Sequence, residues 1–281
     1  MDVLWASALG PVWPLLPRAV ARLSAGYLAV DAVDGASVIG FVAVDPAGSV
    51  PLLMVAPDRQ RQGIGTALLD AAVADLRAAG VEEIDIGSGG GHYIWPGVPL
   101  DLPGAVAFFT AHGWHSDYDC LDLVRDLRDY QPPDGIGDRA AQAGITLATT
   151  VADRAALDRF ERTHFPQWAR WFDGSAGDIL VAYDRSSAIV GTLLYEFPDA
   201  GTYQPILGPH TATVACVGVA PDRNDHGIGS AMVAHASELL RDAGAHVCHI
   251  GWAVRESFYR RTGYRSWRRY RMFRSPAGDV Q

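Results

Sequence analysis

The feature that most constrains the fold of this chain is an internal repeat. Residues 55–65 read VAPDRQRQGIG, and residues 219–229 read VAPDRNDHGIG. The stretches that follow them, residues 66–81 and 230–245, are both rich in alanine and leucine at helical spacing, and both contain a glycine near their end. A pattern that recurs in the same context predicts two copies of one structural unit in a single chain.

Short apolar runs surround each copy of this glycine loop. Strand-like runs precede the loop, and a buried strand, a short helix and a final strand follow its helix. This order predicts an α/β fold with a mixed sheet in each of two tandem domains. We place the N-terminal domain at residues 1–130 and the C-terminal domain at residues 145–281. Residues 131–144 between them have the proline, glycine and charge content of a linker.

Composition agrees with two globular domains. The chain has 281 residues, of which 49% are hydrophobic and 20% are charged, a balance unlike that of a disordered chain. Its net charge of −9 argues against nucleic acid as a partner. The apolar runs are shorter than the ~18–20 residues of a membrane span, and Met1-Asp2 lacks the basic start of a signal peptide. Three scattered cysteines fit reduced thiols, so we expect a cytoplasmic protein.

The glycine loop has the features of a phosphate-binding site. Glycine lets the backbone approach a ligand closely, and the first amides of the following helix lack intrahelical partners. The helix dipole favours an anion at the same place. The spacing departs from GxGxxG, and the chain contains no lysine for a Gly-Lys-Ser/Thr sequence. A dinucleotide-binding fold and an NTPase loop are therefore both excluded.

These residues resemble the acetyl-CoA loop of the GNAT N-acetyltransferase superfamily. Residues 60–65, QRQGIG, match the family pattern fully, and residues 224–229, NDHGIG, depart from it where Asn224 replaces Arg or Gln. The resemblance covers nearly the whole chain as two tandem domains and implies acetyl-CoA as the acetyl donor. In the family, amides of the strand before the loop bind the pantetheine arm, and the loop binds the pyrophosphate. The implied contacts are Leu53, Val55, Gln60, Gln62, Gly63, Gly65 and Thr66 in the first copy and Val217, Val219, Asn224, His226, Gly227, Ile228, Gly229 and Ser230 in the second.

The two copies differ where the family supplies a proton to the leaving thiolate. The resemblance implies a tyrosine in the last helix, just before Gly-Phe or Gly-Tyr. The second copy has Tyr259 at this position, and the first copy has Phe109, which has no proton to give. We therefore predict that the C-terminal domain is catalytic. The charges of the loops favour the first copy instead. The first loop carries Arg59 and Arg61, which would neutralise a pyrophosphate, whereas the second has Asp225 beside the expected pyrophosphate.

The acceptor amine also needs a group that takes its proton or holds its charge. Glu196 ends a long strand-like run, from which a carboxylate could reach the substrate, and Asp279 lies in the C-terminal tail. Each candidate has a competing structural interpretation. Glu196 could be an exposed strand end, Asp279 part of a frayed terminus and Tyr259 a half-buried helix residue.

Two further patterns are interpreted as structural. His246 and Cys248 share one face of a predicted strand while His249 faces the other, so the three cannot converge on one ion, and we expect no metal. The arginine-rich residues 255–274 could bind RNA, but we interpret them as a solvated hairpin.

The layout is similar to that of bacterial glucosamine and glucosaminide N-acetyltransferases, which are tandem GNAT enzymes. The similarity rests on the insertion HYIWPGVPLDLPGAVAFF at residues 92–109 and on IGWAVRESFYRRTGYRSWRRYRMF at residues 250–273. It implies an amino sugar as the acceptor, and an aspartate near the C-terminus that Asp279 would match. The alternatives are mycothiol synthase, whose acceptor is a cysteinyl-glucosaminyl-inositol, another small amine as acceptor, or a non-catalytic acetyl-CoA sensor or scaffold.

Overall fold

The computed structural model of the chain describes residues 2–15, 17, 20–21, 27–87, 94–173, 177–197 and 202–275. Within these residues the helices are α1 (Asp2–Ala8), α2 (Ile64–Ala78), α3 (Pro103–Ala111), α4 (Asp138–Gln142), α5 (Arg154–His164), α6 (Ala169–Asp173), α7 (Gln204–Leu207), α8 (Ile228–Asp242) and α9 (Glu256–Arg260). The strands are β1 (Leu28–Asp34), β2 (Ser37–Asp45), β3 (Ser49–Val55), β4 (Asp85–Ile86), β5 (Val98–Pro99), β6 (His115–Asp126), β7 (Thr146–Ala148), β8 (Asp178–Tyr183), β9 (Ile189–Glu196), β10 (Thr211–Val219), β11 (Val247–Ala253) and β12 (Arg265–Arg274). No described helix combines the length and the apolar character that crossing a bilayer requires.

The chain forms two compact units. The N-unit comprises Met1–Leu121 together with Arg268–Gln281, and the C-unit comprises Asp122–Trp267. β6 therefore begins in the N-unit and ends in the C-unit, whereas β12 begins in the C-unit and ends in the N-unit. The boundary predicted at residues 131–144 separates the two sequence repeats, and the compact units differ from the repeats in where the last strands belong.

In the N-unit, β1, β2, β3 and β4 follow one another across the sheet, and β12 lies beyond β4. β3 runs parallel to β4 but pairs with it only through Ser49 and Val50, although β3 continues to Val55. The pairing is short because β4 itself comprises Asp85 and Ile86 alone. α2 packs on this sheet because its apolar residues recur at helical spacing. Its buried side chains are Leu68, Leu69, Ala72 and Leu76.

The C-unit repeats this arrangement in the order β11-β10-β9-β8-β7. β10 runs antiparallel to β9, and it pairs in parallel with β11 only over Thr211–Val214. Helices cover both faces of the sheet: Thr192 is bonded to Glu161 of α5, whereas a Cβ on the adjacent Gly191 would lie 3.0 Å from Met232 of α8. Since neighbouring strand residues point to opposite faces, α5 and α8 lie on opposite sides.

The predicted linker contains a short helix. α4 starts after Gly137, which has φ 96°, and its Ala140 is buried. A Cβ on Gly137 would lie 3.9 Å from Ala231 of α8. Residues 131–144 are therefore in part folded against the helix that follows the second glycine loop.

Candidate active site

Each glycine loop ends in a left-handed glycine that caps the following helix. Gly63 has φ 84° before α2, and Gly227 has φ 71° before α8, a conformation that glycine adopts without steric cost. The amide of Ala67 donates to the Gly63 carbonyl, and that of Ala231 donates to the Gly227 carbonyl. The amides before these bonds are the donors that a helix N-terminus leaves for an anion. Both copies therefore have the geometry of a phosphate-binding loop.

The predicted cofactor contacts gather at the start of these two helices, and the second set is more deeply buried. In the first copy, Gln60, Gln62 and Gly63 are exposed, and Leu53, Val55, Gly65 and Thr66 are partly buried. In the second copy, Asn224 and His226 are exposed, Val217, Val219 and Gly227 are partly buried, and Ile228, Gly229 and Ser230 are buried. Three side chains of the first set have partners within the protein. Gln60 donates to the Val55 carbonyl at 3.2 Å, and Gln62 donates to the Asp58 carbonyl at 3.3 Å. Oγ1 of Thr66 lies 3.0 Å from Nε2 of His112.

A cation from outside the repeat lies on the second loop. Arg139 of α4 donates a hydrogen bond to the backbone carbonyl of Asp225. Its Cβ is 3.4 Å from the position that a Cβ on Gly227 would take. The second loop keeps Arg223 at the position of Arg59 but has Asp225 in place of Arg61, and Arg139 brings a further positive charge to it from the predicted linker. This residue was missed from the sequence because nothing local connects it to the loop.

The strand before the second loop is interrupted where it leaves its neighbour. β10 pairs with β11 as far as Val214, and a bulge between Ala215 and Gly218 breaks its register with β9. Cys216 in this bulge has φ 50°, and Trp252, beyond the end of the pairing on β11, has φ 53°. Left-handed backbone in such residues is strained and concentrates at functional sites.

The corresponding strand of the first copy is regular next to its loop. Leu53 to Val55 of β3 lie in register with β2, and the irregularity between these strands comes earlier, between Ser49 and Leu52. No residue of β3 has a positive φ. In the second copy, Val217 lies inside the bulge, while Val219 returns to register with β9. The position of the bulge therefore distinguishes the second copy from the first, because beside the second loop it leaves backbone groups of β10 out of the ladder.

Tyr259 and Phe109 occupy equivalent places in the two copies. The preceding residues, Phe258 and Phe108, both pack against the second glycine of their own loop, with ring atoms 3.0 Å and 3.4 Å from the position that a Cβ there would take. Phe109 belongs to the hydrophobic core of the N-unit. The structure therefore matches the sequence alignment that assigns the phenol to the second copy.

Burial controls the ionisation of the groups around Tyr259. It raises the pKa of Tyr259 to about 12, with a smaller upward effect from Cys216 and a downward effect from Arg255. Burial also raises the pKa of Cys216 to about 12, and the nearby Glu161 carboxylate raises it further. Tyr259 therefore keeps its proton at neutral pH, and Cys216 remains a neutral thiol.

Glu161 of α5 is a buried carboxyl group that was not among the predicted residues. Its side chain is 0% exposed, and Oε1 accepts the Thr192 hydroxyl at 2.5 Å. Oε2 has no hydrogen-bond partner within the described ranges. Burial raises its pKa from 4.5 to about 7, against the lowering effect of the Thr192 bond. The sequence signal was present, since Glu161 continues the buried stripe of Leu157 and Phe160.

Glu196 and His249 lie on one row of the C-unit sheet. Thr213 of β10 is opposite both Glu196 of β9 and His249 of β11, so the three side chains share a face. Glu196 is exposed, as expected for the end of its strand. His249 is buried, with Nε2 3.1 Å from Oδ2 of Asp122. Asp279 lies outside the described residues.

Asp122 was also missed from the sequence. It interrupts the apolar run Cys120–Val124 of β6, which is itself a signal of a buried acid that needs a partner. Its partner is His249, which the strand alternation in the sequence excludes from a metal site with His246 and Cys248.

Comparison with known proteins gives matches in both repeats. A family model described as acetyltransferase (GNAT) domain matches residues 25–116, and one described as acetyltransferase (GNAT) family matches residues 139–264. A mycothiol acetyltransferase of Clavibacter michiganensis subsp. michiganensis (strain NCPPB 382) is 30% identical over 225 residues, which is 77% of this chain and 68% of that protein.

Solved structures agree with this assignment. A GCN5-related glucosamine N-acetyltransferase region of a fungal multi-domain GH3 beta-N-acetylglucosaminidase superposes with a TM-score of 0.87 at 30% identity. The match covers 97% of this chain but 36% of that protein. A tandem GNAT protein from the clavulanic acid biosynthesis pathway has a TM-score of 0.63 at 20% identity, over 89% of this chain and 82% of that one. The prediction of an α/β fold with two tandem GNAT domains is confirmed.

The raised pKa of Glu161 predicts a pH-dependent loss of stability. Between pH 4.5 and about 7 the unfolded chain releases the Glu161 proton while the folded chain retains it, so this group destabilises the fold increasingly as pH rises through that window. Glu161→Gln removes this effect. The variant should gain stability relative to the wild type across the window, by about 3 kcal/mol at its upper end, measured by urea unfolding at a series of pH values.

Thr192→Ser is the matched control, because it retains both the carboxyl group and its hydroxyl donor. Its difference in unfolding free energy from the wild type should not change with pH. A Glu161→Gln difference that is equally flat would show that Glu161 has an ordinary pKa in the folded protein.

The loops predict different effects of the same substitution. Gly229→Glu places a carboxylate at the start of α8, with its Cβ 3.0 Å from Phe258, where it would repel a pyrophosphate. We expect the affinity of the C-unit for acetyl-CoA to fall by at least about tenfold and acetyl transfer to be lost. Gly65→Glu is the control in the N-unit and should retain transfer. Calorimetric binding and turnover, with thermal midpoints to verify folding, measure both. Retained transfer in Gly229→Glu and loss in Gly65→Glu would assign catalysis to the N-unit.

Proposed function

Since the chain belongs to the GNAT acetyltransferase family, and is an N-acetyltransferase by that membership, we propose that it acetylates the amino group of glucosamine or a glucosaminide. The acetyl group passes directly from acetyl-CoA to the amine in the C-unit. The observation that carries the proposal is the 30% identity to a glucosamine N-acetyltransferase region over 97% of this chain. The free thiols of Cys120, Cys216 and Cys248 suit the cytoplasm, where we place the reaction.

A second candidate acceptor is that of mycothiol synthase. The 30% identity to a mycothiol acetyltransferase favours it. In glucosamine the free amine is on the sugar ring, whereas in cysteinyl-glucosaminyl-inositol the ring nitrogen carries the cysteinyl group and the free amine belongs to cysteine. The two acceptors therefore differ both in size and in the distance of the amine from the sugar. We favour glucosamine because the match to the glucosamine enzyme covers more of this chain than the 77% matched by the mycothiol enzyme.

The proposed cofactor site is the second glycine loop with the strand before it. The bulged backbone around Val217 and the partly buried Val219 bind the pantetheine arm. The amides of Ile228 to Ser230 bind the pyrophosphate at the start of α8, with Arg139 as the adjacent positive charge. This assignment is supported by the bulge and by the depth at which the second loop is buried.

Tyr259 is the proposed general acid. Acyl transfer leaves CoA as a thiolate, which needs a proton. A phenol whose pKa is about 12 is protonated at neutral pH and always has that proton available. The raised pKa also makes the phenol a weaker acid, because burial disfavours its anion. The proton therefore passes to a thiolate only within a direct hydrogen bond.

A carboxylate completes the proposed site by holding the charged acceptor. Glu196 is exposed and lies on the same row as His249, so it can attract an ammonium group to the site. Asp279 remains the other carboxylate proposed for this role, on the resemblance to tandem GNAT enzymes.

Purified protein supplied with acetyl-CoA should release CoA thiol on addition of glucosamine and form N-acetylglucosamine. N-acetylglucosamine is the control acceptor and should give no release, because its amine is blocked. A kcat/KM higher for cysteinyl-glucosaminyl-inositol than for glucosamine would favour the second candidate. Binding of acetyl-CoA without turnover of any amine would instead identify a sensor or scaffold.

Tyr259→Phe should lower kcat for glucosamine by about 10²–10⁴-fold, the usual range for loss of an acid catalyst, with little change in acetyl-CoA affinity. Tyr264→Phe is the matched control. It removes a buried hydroxyl that lies 2.8 Å from Ser237 Oγ, which should cost about 1 kcal/mol of stability and leave kcat unchanged. A fully active Tyr259→Phe variant would leave Tyr259 with a packing role alone.

A further inference from the structure

Asp122 and His249 form a buried pair within the C-unit. The side chains are 0% and 1% exposed, and Nε2 of His249 lies 3.1 Å from Oδ2 of Asp122. The other carboxylate oxygen, Oδ1, accepts the backbone N–H of Trp252 at 3.0 Å. Both carboxylate oxygens of Asp122 therefore have partners. One holds the imidazole of His249, and the other holds the backbone of Trp252, the left-handed residue of β11.

The imidazole is enclosed by two aromatic rings. Its centroid lies 4.3 Å from that of Tyr203 and 5.6 Å from that of Trp267, which is almost perpendicular to it. Within the described ranges neither ring nitrogen has an aligned hydrogen bond, although Nε2 is at ion-pair distance from Asp122. An unsatisfied buried polar atom costs about 1–3 kcal/mol, and in a native protein it calls for an explanation such as a catalytic role. Nδ1 of His249 is such an atom.

His249 lies beside the point where the two central strands part. It is opposite Thr213, and the next pair, Val214 with Ile250, is the last between β10 and β11. Glu196 is opposite Thr213 on the other side. Adjacent strands are about 4.8 Å apart, so the Cα atoms of Glu196 and His249 are about 10 Å apart. Thr213 lies between the two side chains on the same row, so an ammonium group that contacts both would lie over Thr213.

We propose that His249, held by Asp122, accepts the proton of the acceptor ammonium, directly or through one water. The proposal rests on the acetyl transfer to an amino sugar proposed above. A carboxylate at one ring nitrogen keeps a proton there and leaves the other nitrogen, Nδ1, as the acceptor. When Nδ1 takes the proton, the Asp122 carboxylate pairs with the resulting imidazolium. Glu196 holds the ammonium by charge before the transfer, and His249 removes the proton.

The proton and electron balance closes with the groups already described. The ammonium gives one proton to His249, and the nitrogen lone pair attacks the thioester carbonyl, so the N–C bond forms and the C–S bond breaks. The CoA thiolate takes the proton of Tyr259. The amide nitrogen loses its second proton, which returns to the tyrosinate, and His249 releases the first proton to solvent. The products are the N-acetyl sugar, CoA thiol and one proton.

Within the part of the chain that the structure describes, three titratable side chains face the imidazole from the elements around it. They are Asp122 of β6, Tyr203 before α7 and Glu196 on the same row of β9. Thr213 of β10 and Trp267 of β12, which also border His249, carry no titratable group. If the pH dependence of kcat/KM is lost when His249 is substituted and altered when Asp122 is substituted, it is assigned to this pair.

The test compares His249→Gln and Asp122→Asn with the wild type, using acetyl-CoA and glucosamine. We expect kcat/KM to fall by about 10²-fold or more in His249→Gln and by a smaller factor in Asp122→Asn, with acetyl-CoA affinity unchanged. The deficit should shrink as pH rises from about 6.5 to about 9, because a growing fraction of the acceptor is already neutral. His246→Gln, an exposed histidine on the same segment, is the control and should remain within about threefold of the wild type.

A purely structural pair gives a different result. It predicts a lower thermal midpoint and weaker acetyl-CoA binding, with a deficit in kcat/KM that does not change with pH, and this outcome overturns the proposal. Wild-type activity in a folded His249→Gln variant overturns it as well. If His249→Gln does not fold, the pH dependence of the Asp122→Asn deficit decides in the same way. If the wild type itself transfers no acetyl group to glucosamine, the proposed function is refuted. This failure differs from a failure of the His249 proposal, which is seen only in the variants.

Discussion

The parting of β10 from β11 is the constraint on which the candidate site depends. Two parallel strands that separate after Val214 and Ile250 leave backbone donors and acceptors that need other partners. On β11, Asp122 supplies one by accepting the Trp252 amide. On β10, the bulge at Cys216 turns the backbone out of the ladder with β9. The opening between the strands is thus built from strained backbone that the surrounding packing holds in place.

Burial, more than ion pairing, sets the chemistry of this opening. For Tyr259, Cys216 and Glu161, burial is the largest cause of the raised pKa. Each group is therefore pushed toward its neutral form, and the acid role that we propose for Tyr259 requires that form. An incoming ammonium would be disfavoured in such surroundings unless it met a negative charge or lost its proton. The row of Glu196 and His249 offers both.

The features that the sequence predicts well are those carried by local pattern. The glycine loops, the helices after them and the position of Tyr259 relative to Phe109 all follow from a few consecutive residues, because turn geometry and helix capping are local properties. The pair of Asp122 and His249 joins residues far apart in the chain, and it depends on β6 passing from the N-unit into the C-unit. No periodicity within either repeat encodes such a contact. Asp279, proposed from the tail alone, lies outside the described residues.

The two copies share the glycine loop and differ in the residues that we propose for catalysis. Both glycine loops retain a left-handed cap and a helix N-terminus, which are needed for the helix to start whether or not a ligand binds. Phe109 has become part of the N-unit core, packed against Trp114 and Phe273. A phenol hydroxyl at that place would be buried in apolar surroundings and would need a partner. The first copy therefore keeps the part of the pattern that stabilises its fold, whereas the strained strands, the protonated tyrosine and the buried Asp122–His249 pair occur together in the C-unit. This distribution is the reason that we propose the C-unit as the place of acetyl transfer.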